Sequence, residues 1–124
     1  RFETPVQGLF RTVMCDTEIS GIKIPKGSVL LVRYASFNRD EKIFFEPDVF
    51  DITRSDVGKH LAFGSGAHHC VGAMLARAEM QIAFDQLFKR VTNIRLSKDL
   101  SPIPHRPSLY IHQLKELPIK FSKV

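Results

Sequence analysis

The sequence predicts an α+β chain in which short β-hairpins come first, one long buried helix follows a cysteine loop, and a β-hairpin closes the C-terminus. Three observations carry this. Short runs rich in apolar and β-branched residues recur between turn residues at Thr12 to Met14, Ile22 to Ile24 and Val29 to Val32. A helical apolar pattern then runs from Ala73 to about Arg90. Beyond it, Pro102, Pro104 and Pro107 exclude a continuing helix before β-rich residues return.

Taken in order, Ile24-Pro25-Lys26-Gly27 has the proline and glycine placement of a type I turn, which predicts a hairpin. Asn38 to Phe50 mixes aromatic and acidic residues with Pro47 and shows no clear period. A short helical turn followed by irregular chain is expected there, with Phe44, Phe45 and Phe50 as packing residues. The helix carries Leu75, Ala78 and Ile82 on one stripe, and Phe84, Leu87, Phe88 and Val91 widen it. Such broad apolarity argues for burial. Leu109 to Ile111 with Ile119 to Phe121 complete the terminal hairpin. No repeat, low-complexity tract or domain boundary divides residues 1–124, which read as a single segment.

Composition limits the function classes. The 124 residues, 44% of them hydrophobic, suffice for one domain with a core. No apolar run approaches the roughly 18 residues of a membrane span, and the start carries no signal-peptide pattern. Two cysteines, Cys15 and Cys70, make no disulfide framework of the secreted kind, and Cys15 reads as a small buried hydrophobe. The formal charge of +5 is scattered without a basic block or an aromatic platform. That pattern describes a solvated surface and argues against nucleic acid.

The chemistry concentrates in Phe63 to Gly72, which reads FGSGAHHCVG. Gly64 and Gly66 can take positive φ and carry no Cβ, so the chain can turn tightly and lie close against a flat ligand. Cys70 falls at the expected first turn of the helix, where unpaired N–H groups and the helix dipole favour an anion. The thiol should ionise more easily there, and the same amides can donate hydrogen bonds to the sulfur. His68 can donate to an acidic group beside the cysteine, and Phe63 can pack on the face of a cofactor. The loop is therefore suited to presenting a thiolate to a flat, bulky metal cofactor.

The pattern FxxGxxxCxG, in the fuller form FGxGxHxCxG, resembles the haem-binding signature of cytochromes P450, matched by Phe63, Gly64, Gly66, His68, Cys70 and Gly72. NRDEKIFFEPDVFDITR, from Asn38 to Arg54, resembles that family's meander, and LARAE, from Leu75 to Glu79, resembles the helix after its cysteine. The resemblance implies that this α+β chain is a fragment of the mainly-α cytochrome P450 fold. It further implies a C-terminal segment truncated on its N-terminal side, opening at the end of the helix that bears an ExxR motif. Arg1 would be that motif's arginine, joined by Arg54 of the meander in a structural role.

The remaining roles also come from the resemblance. Cys70 would be the axial thiolate of the iron in heme b (iron protoporphyrin IX), with Arg11 and His68 as propionate partners. Val6, Gln7 and Leu9, with Tyr110 and Ile111, fall where the family lines its substrate pocket. The implied activity is that of a soluble, cytoplasmic, bacterial-type haem-thiolate monooxygenase. It would insert one atom of O2 into a small organic substrate, with electrons from a ferredoxin or flavodoxin docking near Arg77 and Lys59. Two other readings remain. One is a zinc or nucleophilic-cysteine site at His68-His69-Cys70, which lacks a second ligand pair. The other is a non-catalytic, haem-free module that folds or self-associates.

Overall fold

The computed structural model describes residues 1–98 and 102–124. Strands β1 (Leu9–Thr12), β2 (Thr17–Ile19), β3 (Ile22–Ile24) and β4 (Val29–Val32) lead into a one-turn helix α1 (Tyr34–Phe37). After an irregular stretch come the helix α2 (Ala73–Phe88) and strands β5 (Val91–Leu96) and β6 (Ile119–Lys123). The chain divides into two compact units, residues 1–62 with 108–112, and residues 63–107 with 113–124.

In the first unit, β1 pairs antiparallel with β4, and β2 with β3. The expected hairpin between Ile22–Ile24 and Val29–Val32 is therefore nested, with those strands bound to different partners. The reason lies in two turns. Ser20 and Gly21 both have positive φ (50° and 81°), the geometry of the tight two-residue hairpin turn that matches strand twist. The second turn runs from Pro25 to Ser28, whose N–H donates to the Pro25 carbonyl at 3.2 Å. Gly27 at φ +84° is its third residue, which a type II turn demands and a type I turn does not. The strand expected at Thr12–Met14 lies earlier, at Leu9–Thr12, and Val13 continues the ribbon by exchanging backbone bonds with Gly27 and Ser28.

The core of this unit is small and specific. Val13, Tyr34 and Phe44 are buried with Thr4 and Asn38, and Phe44 and Asn38 are 0% exposed. Phe44 meets Phe37 edge-on, ring centroids 6.2 Å apart. The meander follows expectation as a helical turn and irregular chain, but its aromatic residues divide. Phe44 is core, Phe50 is exposed yet packs edge-on against Phe2 at 5.3 Å, and Phe45 is exposed. Cys15 is exposed as well, not buried, because it sits in the link between β1 and β2, clear of the core.

The second unit corrects the sequence reading most. Helix α2 forms over Ala73–Phe88 and stops where Lys89 and Arg90 close the last turn. Of its residues only Ala73 is buried, while Leu75, Ile82, Phe84 and Phe88 are each more than half exposed. Apolar residues all round a helix need neighbours on several sides, and among the described residues β5 is the main element that α2 packs along. The terminal hairpin also differs: β6 pairs with β5, not with Leu109–Ile111. Asn93, with φ 53°, sits in the irregularity between Thr92 and Arg95 that twists this ribbon. Among the described residues no helix is long and apolar enough to cross a membrane.

Candidate functional site

The cysteine loop belongs wholly to the second unit and is closed by one backbone bond. The Cys70 N–H donates to the Phe63 carbonyl at 2.8 Å, bringing the two ends of the FGSGAHHC stretch together. Between them Gly64 and Gly66 have φ +71° and +67°, a region that costs an L side chain about 1 kcal/mol or more. Residues Gly66–His68 form a 3-10 turn, and the His69 N–H donates to the Gly66 carbonyl at 3.0 Å. A Cβ built on Gly66 would meet nothing within 4 Å, so that side of the loop is open.

Cys70 is an exposed free thiol. It lies two residues before Gly72, the N-cap of α2, and so precedes the first helical turn in which the sequence placed it. Its carbonyl still accepts from the Ala73 N–H at 3.2 Å, which carries the loop into the helix. Gly72 is close to the sulfur, since a Cβ there would stand 3.9 Å from Sγ. His68 is exposed on the 3-10 turn. The loop thus fits a flat metal cofactor on observations of its own: an accessible thiol, open space at Gly66 and a glycine beside the sulfur. A zinc site fits less well. Among the described residues no three of His, Cys, Asp and Glu gather as a metal would require, so His68-His69-Cys70 lacks the rest of a tetrahedral set.

Two contacts at the loop were not legible in the sequence. The Arg77 guanidinium lies over the Phe63 ring, 4.9 Å from its centroid, and the His69 ring approaches that ring at 6.5 Å. Arg77 is on the second turn of α2, fourteen residues beyond Phe63. Spacing within a helix could not reveal it, because Phe63 is outside the helix.

In the first unit the structure brings together the two pocket segments that the sequence analysis nominated a hundred residues apart. Val6 and Ile111 form an antiparallel bridge, and the Gln7 N–H donates to the Tyr110 carbonyl at 2.6 Å. Phe10 meets Tyr110 edge-on at 5.7 Å. The reason residue 8 is glycine now appears, since a Cβ there would stand 2.5 Å from the Val32 carbonyl oxygen. Only glycine lets β4 approach so closely. Leu9 and Arg11 lie on β1, paired with Val32 and Leu30, and Arg11 is exposed with its guanidinium donating to the Phe10 carbonyl at 2.9 Å. Glu3 and His112 are 3.0 Å apart in the same unit, a contact that no motif announced.

Arg1 and Arg54 both serve the meander. Arg1 donates to the carbonyls of Asn38 (2.7 Å) and Pro47 (2.9 Å), with its guanidinium 5.1 Å from the centroid of Phe44. Arg54 donates to the carbonyls of Phe45 and Glu46 and pairs with Asp56 at 3.1 Å. Its Nε is buried without a hydrogen-bond partner, as is Nδ2 of Asn38. Burial first, then the charges of Arg54 and Arg39, lower the pKa of Arg1 from its ordinary value. A surface depression of about 510 Å3 lined by Asp16, Thr17, Glu18, Lys23, Ile24 and Pro25 includes none of the anticipated site residues.

Comparison with known proteins brings these features together. The family model for cytochrome P450 matches residues 1–118. The chain is 40% identical over 123 residues to Cytochrome P450-terp of a Pseudomonas species, covering 99% of this chain and 28% of that protein. It is 35% identical over 122 residues to a steroid C26-monooxygenase of Mycobacterium tuberculosis, covering 98% and 32%. The solved structure of cytochrome P450 CYP109Q5 from Chondromyces apiculatus superposes with a TM-score of 0.90 at 40% identity, covering 99% of this chain and 31% of that one. The chain therefore spans about a third or less of the length of these relatives.

Proposed function

This chain belongs to the cytochrome P450 family, and on that premise we propose that it is the haem-ligand segment of a monooxygenase that inserts one atom of O2 into a small organic substrate. The observation that carries the reading is Cys70, an accessible thiol on a glycine-hinged loop closed by its own N–H on Phe63. When bound, heme b (iron protoporphyrin IX) would supply the activation of O2, and a thiolate ligand favours O–O cleavage.

The chain's own residues divide the remaining work. Cys70 would provide the thiolate ligand, Phe63 would pack against the cofactor, and Gly64, Gly66 and Gly72 would let backbone and sulfur approach without a Cβ in the way. Arg11 and His68 would donate hydrogen bonds to the propionates, since an anion near protein needs donors. Val6, Gln7, Leu9, Tyr110 and Ile111 contribute a wall to the substrate pocket, and the bridge between Val6 and Ile111 supports their acting as one surface. Arg1 and Arg54 hold the meander. Lys59 and Arg77 offer positive charge to an acidic ferredoxin or flavodoxin, an attraction that salt would weaken. The cytoplasm is the compartment proposed.

Isotopically labelled O2 tests the reaction class. With substrate and a redox partner, the haem-loaded protein should place one labelled oxygen atom in product and the other in water. Product oxygen drawn from solvent would refute the proposal. The exposed apolar residues of α2 favour a second reading for a polypeptide of these 124 residues alone, as a haem-free, catalytically silent, self-associating module. Sedimentation of that polypeptide as a monomer, with stoichiometric haem, would overturn this second reading.

A further inference from the structure

We propose that Arg77 is a positioning residue for the cysteine loop: its guanidinium holds the Phe63 ring, and through it the carbonyl that fixes the Cys70 N–H. The inference rests on the proposed role of Cys70 as a thiolate ligand and extends it to a residue that no motif assigns there.

The loop is soft. Gly64 and Gly66 stand at positive φ between Phe63 and Cys70, and glycine backbones resist deformation least. The 3-10 turn at Gly66–His68 fixes only the middle of the loop. Its ends are joined by the bond from the Cys70 N–H to the Phe63 carbonyl, 2.8 Å long. The backbone at the sulfur-bearing residue therefore depends on where Phe63 is held. Phe63 precedes the loop in a turn, and its ring is one of the points at which it is held.

One hold on that ring comes from α2. Arg77 projects from a continuous sixteen-residue helix and lies over the Phe63 ring, 4.9 Å from the centroid. A planar guanidinium stacks on an aromatic face as an ammonium does not, so lysine is an incomplete replacement. The connection is short: helix to guanidinium, guanidinium to ring, and Phe63 backbone to the Cys70 amide. Backbone amides near a ligating sulfur tune its electron donation, and hence the potential of the iron it binds. Loosening the ring should alter that potential even with no redox partner present. A purely partner-steering arginine would leave it unchanged.

The experiment is a double-mutant cycle on the haem-loaded full-length protein, read as the partner-free equilibrium reduction potential and the position and width of the ferrous carbonyl band. Arg77→Gln and Phe63→Leu should shift the potential in the same direction and broaden the band. Arg77→Lys should recover only part of the change. In the Phe63→Leu background, the shift caused by Arg77→Gln should fall by at least half, because the ring through which Arg77 acts is gone. Three results overturn the inference: an Arg77→Gln shift of undiminished size in that background, full recovery by Arg77→Lys, or no shift at all. The first two would mean that only the charge of Arg77 is felt. If the unsubstituted protein lacks a thiolate-type carbonyl band, the function proposed for Cys70 fails and takes this inference with it. A normal band with additive substitutions sinks the Arg77 inference alone.

Discussion

The two units spend the same kinds of residue in opposite ways. The first, residues 1–62 with 108–112, turns Phe44, Tyr34 and Val13 inward around a fully buried Asn38 and ties its irregular chain with Arg1, Arg39 and Arg54. The second has more apolar helix, yet among its described residues only Ala73 is buried, and its cysteine is exposed. Hydrophobic content is therefore no guide to where stability resides. A small buried core outweighs a large uncovered face, because burial, and not the presence of an apolar side chain, removes surface from water.

The largest expected effect separates the units directly. In a polypeptide of these 124 residues, Phe44→Ala should cost about 3–5 kcal/mol, the range for emptying a buried aromatic site. Ile82→Ala on the exposed helix should cost less than about 0.5 kcal/mol, since Ile82 is 61% exposed and little area returns to water. Urea titration of both variants checks the contrast. Equal losses would mean that α2 is covered, and the comparison would collapse.

A middle-sized effect sharpens the account of the first core. Asn38 Oδ1 accepts from the Leu61 N–H at 2.8 Å, which anchors the chain just ahead of the cysteine loop. Asn38→Ala should cost about 1–3 kcal/mol, because that amide loses its acceptor in a part-buried setting. Faster hydrogen exchange should be confined to the segment around Leu61. An unchanged exchange rate there would show that the bond to Asn38 is not what protects the Leu61 amide.

The smallest effect belongs to the second unit. Glu116 is held below its ordinary pKa by the hydrogen bond from Lys98 and then by its charge. A depressed carboxyl pKa contributes stability above the unfolded-state value and loses it as pH falls through the folded value. Both side chains are exposed, so solvent screens the pair. Lys98→Ala should leave the midpoint at neutral pH almost unchanged and slightly flatten its decline on the acid side. A large drop at neutral pH would mean that the ribbon of β5 and β6 depends on this pair.

What the sequence disclosed followed from the range of the signal. The loop from Phe63 to Gly72, the span of α2 and the glycine hinges are local, and residue types at fixed spacing expose them. The Ser20-Gly21 turn was legible as well, since a Ser-Gly pair between apolar alternations marks a hairpin, but the Pro25-Gly27 turn drew the assignment instead. Strand partners were not legible. Leu109–Ile111 and Ile119–Phe121 look equally β-like, and only packing sends one to Val6 and the other to β5. Burial of α2 was misread because periodicity reports which residues are apolar, not whether a neighbour exists to cover them. The placement of Arg77 over Phe63 escapes for a related reason: a contact between helix and loop has no period.

The central claim is that Cys70 is the thiolate ligand, and its most direct test is the carbonyl spectrum of the ferrous, haem-loaded full-length protein. The unsubstituted protein should show the red-shifted Soret band of a thiolate-ligated iron, and Cys70→Ser should lose it while Cys15→Ser keeps it. Retention of the band in Cys70→Ser would contradict the account.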